Sequence, residues 1–311
     1  MAKVLITETV NEAGPKLLKE AGYELVYAVG DAETIRREIT EADAVFTRIF
    51  PLTPELLGTA RRLRIVSKHG VGVDNIAVEW CREHGVAVTV TPDANGQSVA
   101  EHAFALMMAL AKHIIPISEG YKEQGFSIKN SREGIELLGK TAGLIGLGRI
   151  GKRFANMCRG AFDMNVLAYD PYLSEAPEGV TLIDDLDKLL SEADVVSLHL
   201  VLTEETRGII SAERLARMKP GAILINCSRG PMVDESALIA ALESGRLGAA
   251  GLDVTDPEPV ETDSPLFKLP NVIVTPHYAS TTAEAAKRVS EIGCANIIVC
   301  LSGKEPAGRV V

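Results

Sequence analysis

The sequence predicts an α/β protein with two doubly wound parallel-sheet domains. Three observations predict this. Short, nearly continuous apolar runs alternate with amphipathic segments, as buried parallel strands and their crossover helices do. The alternation runs twice, on either side of a helical and polar stretch near residues 97–134. The 311 residues suit two domains of about 100–200 residues each. In order, KVLITE (3–8), ELVYA (24–28), AVFTR (44–48), RIVSKHG (64–70) and VAVTV (86–90) read as strands. The segments 11–21, 31–41 and 54–60 read as the helices between them. TPDANG (91–96) is a turn cluster, and Gln97–Ser98 is placed to cap a long helix over 99–118. The polar stretch 119–134 lacks periodicity and reads as a loop. Six further strands follow: TAGLIG (141–146), NVLAYD (165–170), DVVSLHL (194–200), AILINCS (222–228), GAAGLDV (248–254) and NVIVTPH (271–277). Six is the count of a complete Rossmann-type dinucleotide-binding domain. The last helix, 281–301, lies beyond them and is expected to pack back on the first domain. The expected division is therefore 1–98 with 282–311 as one domain built from both ends of the chain, and 99–281 as a dinucleotide-binding domain, with an interdomain cleft.

Composition excludes several classes. The 32 basic and 42 acidic residues leave a net charge of −10, so a nucleic-acid or membrane-surface role is not expected. Hydrophobic residues at 46% and charged residues at 24% are the balance of a globular protein, not a disordered or fibrous one. The N-terminus lacks the charged and apolar regions of a signal peptide, and the longest apolar stretch, 103–117, is interrupted by Lys112 and His113. Five cysteines are scattered without C-x-x-C spacing, so free thiols in a reducing cytoplasm are expected and no metal site is.

Gly146-Leu147-Gly148-Arg149-Ile150-Gly151 fits G-x-G-x-x-G. The pattern alone is weak, but here it follows an apolar strand, opens a helix over 149–162, and precedes Asp170 at the end of the next strand. Gly146 permits the tight turn, Gly148 lets a pyrophosphate approach the backbone, and Gly151 lets helix and strand pack closely. Amides at Arg149 and Ile150 then face phosphates at the positive end of the helix. Asp170 is suited to accept hydrogen bonds from the ribose hydroxyls and to repel a 2′-phosphate, so NAD is expected over NADP. A second glycine-rich segment, KHGVGVDN (68–75), reads equally as an anion-binding nest or as a strand-end turn.

Arg229, Glu258 and His277 sit just past the ends of successive strands in the second domain. Ligands of open α/β sheets bind beyond those ends, so three sequence-distant residues can converge there. Singly, each reads as a surface arginine, a solvated loop acid and a loop histidine. Together they suit hydride transfer coupled to proton transfer. A guanidinium holds a carboxylate bidentately, an imidazole exchanges the hydroxyl proton, and a carboxylate beside it stabilises the imidazolium. A serine hydrolase reading fails for want of G-x-S-x-G.

These motifs resemble the D-isomer-specific 2-hydroxyacid dehydrogenases, a family that includes short phosphoglycerate dehydrogenases and hydroxypyruvate reductases. The resemblance runs over nearly the whole chain, through KHGVGVDN, TPDANGQSVAEH (91–102), ELLGKTAGLIGLGRIG (136–151), INCSRGPMVDE (225–235), GLDVTDPEP (251–259) and TPHYAS (275–280). It implies catalytic roles for Arg229, Glu258 and His277, and a flavodoxin-like substrate domain beside the Rossmann domain. It also implies that Val71 and Gly72 present amides to the substrate carboxylate and that Asn95 lines the site. Asp253 is implied to bind the nicotinamide carboxamide, and the Leu200 and Cys227 backbones to flank NAD. A homodimer through 99–134 is implied as well. Val201 replaces a common Pro, Thr255 a common aromatic residue, and Lys68 a common Arg. The chain ends soon after the 281–301 helix, so feedback through a C-terminal regulatory domain is not expected. Arg48, Lys68 and Asn95 are candidates to surround a distal phosphate or hydroxyl, which leans the expectation to 3-phosphoglycerate or hydroxypyruvate/glycerate. A formate dehydrogenase is the first rival, and Glu258 speaks against it because that relay position resembles Gln there. An NAD-sensing corepressor-like binding protein is the second.

Overall fold

The computed structural model describes all 311 residues, which divide into two compact units, Met1–Asn95 with Thr281–Val311, and Gly96–Ser280. The divisions fall at the first residue of a helix and ahead of the last one, three residues from the 98/99 boundary and one from the 281/282 boundary expected above.

In the first unit β1 (Lys3–Ile6), β2 (Glu24–Tyr27), β3 (Ala44–Thr47), β4 (Ile65–Lys68) and β5 (Ala87–Thr89) form one parallel sheet in the order β2-β1-β3-β4-β5. This is the flavodoxin-like order, with its topological switch between β1 and β3. Helices α1 (Ala13–Glu20), α2 (Ala32–Glu38), α3 (Pro54–Leu57) and α4 (Val78–Glu83) cross between the strands. Local chemistry starts two of them. Asp31 accepts hydrogen bonds from the amides of Glu33 and Thr34 at 3.0 Å, and Thr53 caps α3, where Pro54 holds the first position. The sheet interior is aliphatic on both faces, as Val4, Ile6, Ala44 and Ile65 pack on one side and Leu5, Val45, Val66 and Val88 on the other.

The second unit opens with α5 (Gly96–Ala111) and α6 (Ile114–Gln124). The sequence predicts one helix over 99–118 and a loop over 119–134. The structure instead breaks the helix at His113, which takes a left-handed φ of 50°, and continues helix to Gln124 with a 3₁₀ stretch to Asn130. Pro116 has no amide hydrogen for the Lys112 carbonyl and its ring crowds that carbonyl, so α5 cannot run through it and the helix restarts with Pro116 in the first turn of α6. Residues 133–135 return across the end of α5, where the Ile135 amide donates to the Ala111 carbonyl at 2.9 Å and Lys112 Nζ donates to the Ile135 carbonyl at 2.8 Å. Strands β6 (Thr141–Ile145), β7 (Asn165–Tyr169), β8 (Val180–Leu182), β9 (Val195–Leu198), β10 (Ile223–Asn226), β11 (Ala249–Leu252) and β12 (Val272–Val274) form a seven-stranded parallel sheet. Its order is β12-β11-β10-β9-β6-β7-β8, with the switch point between β6 and β9. The six strands expected are present. The seventh, β8, is a three-residue edge strand too short to stand out as an apolar run. Helices α7 (Arg149–Phe162), α8 (Leu186–Glu192), α9 (Ala212–Arg217) and α10 (Glu235–Glu243) cover the faces, together with α5.

The last helix, α11 (Ala283–Leu301), capped by Thr282, belongs to the first unit. It packs closely on α1 and the sheet. A side-chain carbon at Gly14 would lie 2.3 Å from the Ser290 carbonyl oxygen, and one at Gly293 would lie 2.5 Å from the Phe46 ring.

Candidate active site

The glycine turn leaves β6 at the switch point of the larger sheet. Gly146 has φ +93°, a conformation L side chains rarely adopt, and its amide donates to the Tyr169 carbonyl at 2.8 Å. A carbon added there would lie 2.5 Å from the His199 carbonyl oxygen, and one at Gly151 would lie 2.4 Å from the Gly146 carbonyl oxygen. Gly148 differs, because nothing lies within 4 Å of the position its side chain would take. The turn is therefore closed against its own sheet at two glycines and open at the middle one. The first turn of α7, Arg149 and Ile150, begins beside that open side, where the helix presents its positive end. Asp170 follows β7, and its two carboxylate oxygens accept from the Leu147 amide at 2.9 Å and the Tyr172 amide at 3.1 Å. A carboxylate offers about four lone-pair directions, so two remain for a ligand. Beneath the turn His199 is buried against Phe154, and burial pushes its pKa down to about 3. An open glycine, a helix N-terminus and an acid with spare acceptors fit a dinucleotide.

Leu200 follows β9 and Cys227 follows β10, at neighbouring strand ends of the same sheet. Burial, then the nearby Asp253 charge, push the Cys227 pKa up, which keeps that thiol protonated. Arg229 follows two residues later. Its Nη1 donates to the Ser228 carbonyl at 2.7 Å, and its own carbonyl accepts from Asn226 Nδ2 at 2.9 Å. Gly230 sets the next turn against the loop after β11, since a side-chain carbon there would lie 1.9 Å from the Thr255 carbonyl oxygen. The Thr255 hydroxyl donates to the Pro257 carbonyl at 2.9 Å and so shapes the loop that carries Glu258.

His277 and Glu258 meet, with 2.7 Å between imidazole Nδ1 and carboxylate Oε1, and both side chains are partly open to solvent. With Nδ1 facing the carboxylate, Nε2 is the nitrogen left for a substrate. His277 holds a left-handed φ of 51°, and its amide donates to the Asp253 carbonyl at 2.8 Å. Asp253 is nearly fully buried and gathers the surrounding loop. Its Oδ1 accepts from Thr275 Oγ1 at 2.5 Å and the Tyr278 amide at 2.7 Å, and its Oδ2 accepts from the Ala279 amide at 2.8 Å. His102 of α5 adds Nε2 at 3.0 Å from Thr275 Oγ1. The structure thus brings Arg229, Glu258, His277 and Asp253 onto neighbouring strand ends of one sheet. Sequence reasoning passed over His102 and Thr275, because no spacing connects residue 102 to residues 253 and 275.

In the first unit, Arg48 follows β3 and Lys68 ends β4, beside the switch point of that sheet. The Glu8 carboxylate accepts from the successive amides of Arg48, Ile49 and Phe50 at 2.8, 2.7 and 2.5 Å, and so fixes the segment that starts with Arg48. Glu8 is a third residue the sequence reading passed over. Lys68 is buried, and its ammonium donates to the Arg48 carbonyl and, at 2.5 Å, to Asn75 Oδ1. At least two of its three hydrogens are thus committed to the protein. His69, mostly buried, has its pKa pushed down to about 4 by burial and by the Arg48 charge. The amides of Val71 and Gly72 donate to no group of the chain, and Gly70 before them has φ +131°. Asn95 closes the unit beyond Ala94, whose carbonyl accepts from Arg288 Nε at 2.9 Å.

Residues 104–279 match the family described as D-isomer specific 2-hydroxyacid dehydrogenase, NAD binding domain. The chain belongs to the D-isomer specific 2-hydroxyacid dehydrogenase family, and its larger unit is an NAD-binding domain. It is 42% identical over 309 residues to a D-3-phosphoglycerate dehydrogenase of Methanocaldococcus jannaschii, which covers 98% of this chain and 58% of that protein. The chain thus spans little more than half the length of that relative. A hydroxypyruvate reductase of Thermotoga maritima is 41% identical, with 89% of this chain and 91% of that protein covered. Among solved structures, D-lactate dehydrogenase from Aquifex aeolicus complexed with NAD and lactic acid superposes with a TM-score of 0.84, 34% identity and 96% of each chain covered. No single helix here is long and apolar enough to cross a membrane.

Proposed function

We propose that the protein transfers a hydride between NAD and a D-2-hydroxy acid/2-oxo acid pair, with 3-phosphoglycerate or hydroxypyruvate/glycerate as the substrate class. The observation that carries this reading is the 2.7 Å contact between His277 and Glu258 on the sheet that also carries the glycine turn. Bound nicotinamide supplies or accepts the hydride. Gly146, Gly148, Arg149, Ile150 and Gly151 seat the pyrophosphate, Asp170 the ribose, and Leu200, Cys227 and Asp253 border the nicotinamide end. Asp253 has one lone-pair direction on Oδ2 beyond the Ala279 amide for the carboxamide. His277 Nε2 gives a proton to the carbonyl oxygen as it becomes a hydroxyl and takes it back in oxidation. Glu258 stabilises the imidazolium that stands ready to give it. Arg229 holds the substrate carboxylate, with one arm of its guanidinium steadied by the Ser228 carbonyl.

The Val71 and Gly72 amides, Asn95 and Arg48 are assigned to the substrate's carboxylate and distal group. Lys68 is assigned to supporting Arg48 from behind, since its ammonium is directed to the Arg48 carbonyl and Asn75. The apolar side chains of Ile114, Ile115, Tyr121 and Phe126 exposed along α6 and its extension support a homodimer through that segment. Five unpaired cysteines agree with a cytoplasmic setting.

The test is NADH oxidation followed at 340 nm with hydroxypyruvate, 3-phosphohydroxypyruvate, glyoxylate and pyruvate, in wild type and Arg229→Lys. The variant keeps the charge and loses the paired geometry. Its kcat/KM should fall about 100-fold, near 3 kcal/mol, while NADH affinity stays within about twofold. Steady turnover with none of these acids, or a variant that loses NADH affinity instead, overturns the reading.

A further inference from the structure

We propose that His102 is a positioning residue for the acid–base imidazole, acting through Thr275 and Asp253. The proposal rests on the reading of His277 given above. Thr275 Oγ1 has one hydrogen, which lies toward Asp253 Oδ1 at 2.5 Å. The hydroxyl must therefore accept from its other neighbour, His102 Nε2 at 3.0 Å, which makes Nε2–H the donor. The same Nε2 lies 3.5 Å from Asp253 Oδ1. A directed chain results, from His102 Nε2–H to the Thr275 hydroxyl to the Asp253 carboxylate.

Asp253 converts that chain into the geometry of His277. Its carboxylate accepts the amides of Tyr278 and Ala279, and its backbone carbonyl accepts the amide of His277 itself. Three consecutive amides of one loop are thus anchored on one residue. The loop needs anchoring because His277 sits at φ +51°, a region that disfavours a side chain with a Cβ. Released from it, the ring leaves its place 2.7 Å from Glu258. His102 holds the other end of the clamp from α5, an element that carries none of the proposed catalytic groups. It is mostly buried, and its ring lies 6.2 Å from that of Tyr278. No step requires His102 to touch substrate or cofactor.

The experiment compares His102→Leu, His102→Gln and Thr275→Val with wild type. Glutamine places an amide N–H near the position of imidazole Nε2 and preserves the donor, whereas leucine removes it. Valine keeps the shape of threonine and removes the middle link. One readout is kinetic, kcat and KM for NADH and for the best 2-oxo acid. The other needs no cofactor: long-range 1H–15N correlation spectra report which nitrogen of the neutral His277 ring carries the proton. In wild type it is Nδ1, facing Glu258. We expect His102→Leu and Thr275→Val to lower kcat about tenfold, the scale of one lost buried hydrogen bond, with KM for NADH within twofold. Their His277 ring should move toward the tautomer mixture of a free imidazole, and His102→Gln should restore both readouts. Unchanged spectra and kcat in His102→Leu and Thr275→Val overturn the proposal. So does a His102→Gln variant as impaired as His102→Leu, which marks the residue as packing only. If His102→Leu does not fold, the other two variants decide. A wild type without turnover sinks the dehydrogenase reading, and the tautomer spectra still test the clamp.

Discussion

The three glycines of the nucleotide turn face different surroundings, and replacing two of them by alanine separates cofactor binding from folding. At Gly151 the added carbon meets the Gly146 carbonyl oxygen at 2.4 Å, a backbone atom that cannot rotate away. Overpacking of this kind costs about 1–3 kcal/mol, and the rigid partner places it at the upper end. Because Gly151 lies in α7, alanine regains about 1 kcal/mol of helix propensity. The net loss is about 2 kcal/mol. For a unit of the size of Gly96–Ser280 this lowers the melting temperature by roughly 4–8 °C. At Gly148 the added carbon meets nothing within 4 Å, and φ is −71°, which alanine adopts freely. Alanine is a poorer N-cap than glycine but loses less chain entropy on folding, so the two effects offset within about 0.5 kcal/mol. The methyl group then occupies the open side where a pyrophosphate would approach. Gly148→Ala should melt with wild type and weaken NADH binding at least about tenfold, 1.4 kcal/mol. Gly151→Ala should melt several degrees lower. Thermal unfolding of the cofactor-free protein and fluorescence titration with NADH measure the two effects. A Gly148→Ala variant that binds NADH like wild type refutes the phosphate seat, and a Gly151→Ala variant of unchanged stability refutes the packing argument.

Two further outcomes follow from single residues. If the lone pairs and charge that Asp170 has beyond the Leu147 and Tyr172 amides serve the ribose, as proposed, wild type should bind NADH at least about tenfold more tightly than NADPH. Asp170→Asn, which keeps one acceptor and removes the charge, should narrow that ratio in the same titration, and equal binding by wild type would remove the assignment. His69 and His199 are held neutral, with pKa values pushed down by burial to about 4 and about 3, against about 6.5 in an unfolded chain. The unfolded chain therefore binds protons between pH 6.5 and 4 that the native state does not. Their contribution to stability is complete above pH 6.5 and is lost as the pH falls through that window, by about 2 kcal/mol per ring between pH 7.5 and 5. His199→Leu also removes a buried nitrogen without a hydrogen-bond partner, and it should flatten the fall of the urea midpoint over that interval. An identical pH profile in the variant would show that the imidazole is not buried neutral.

What the sequence made legible and what it hid divide along a physical line. Strands such as β4, β9 and β10 are buried along their whole length, so each is a short, mostly apolar and β-branched run, broken only by Ser67, Lys68, Ser197 and Asn226, that can be read without knowing its neighbours. The glycine turn is legible for the same reason, because strand, turn, helix and acid succeed one another along the chain. Arg229, Glu258 and His277 could be placed together because parallel strands deliver their C-terminal loops to one edge. Contacts between distant segments were not legible. The break between α5 and α6 was legible in part, since Pro116 cannot continue α5, but the return of residues 133–135 across the helix end was not. The three residues of β8 carry too few side chains to show a period. Lys68 makes the point most directly. A lysine at the end of a strand, next to a glycine-rich turn, reads as a cation offered to a ligand. Whether it is offered depends on Asn75 and on the Arg48 carbonyl, which the sheet brings to it from the next loop and from the neighbouring strand. The sequence pattern therefore identifies which residue types reach the site. The hydrogen-bond partners decide whether a side chain is engaged by its own unit, as Lys68 is by Asn75 and the Arg48 carbonyl and His102 is by Thr275.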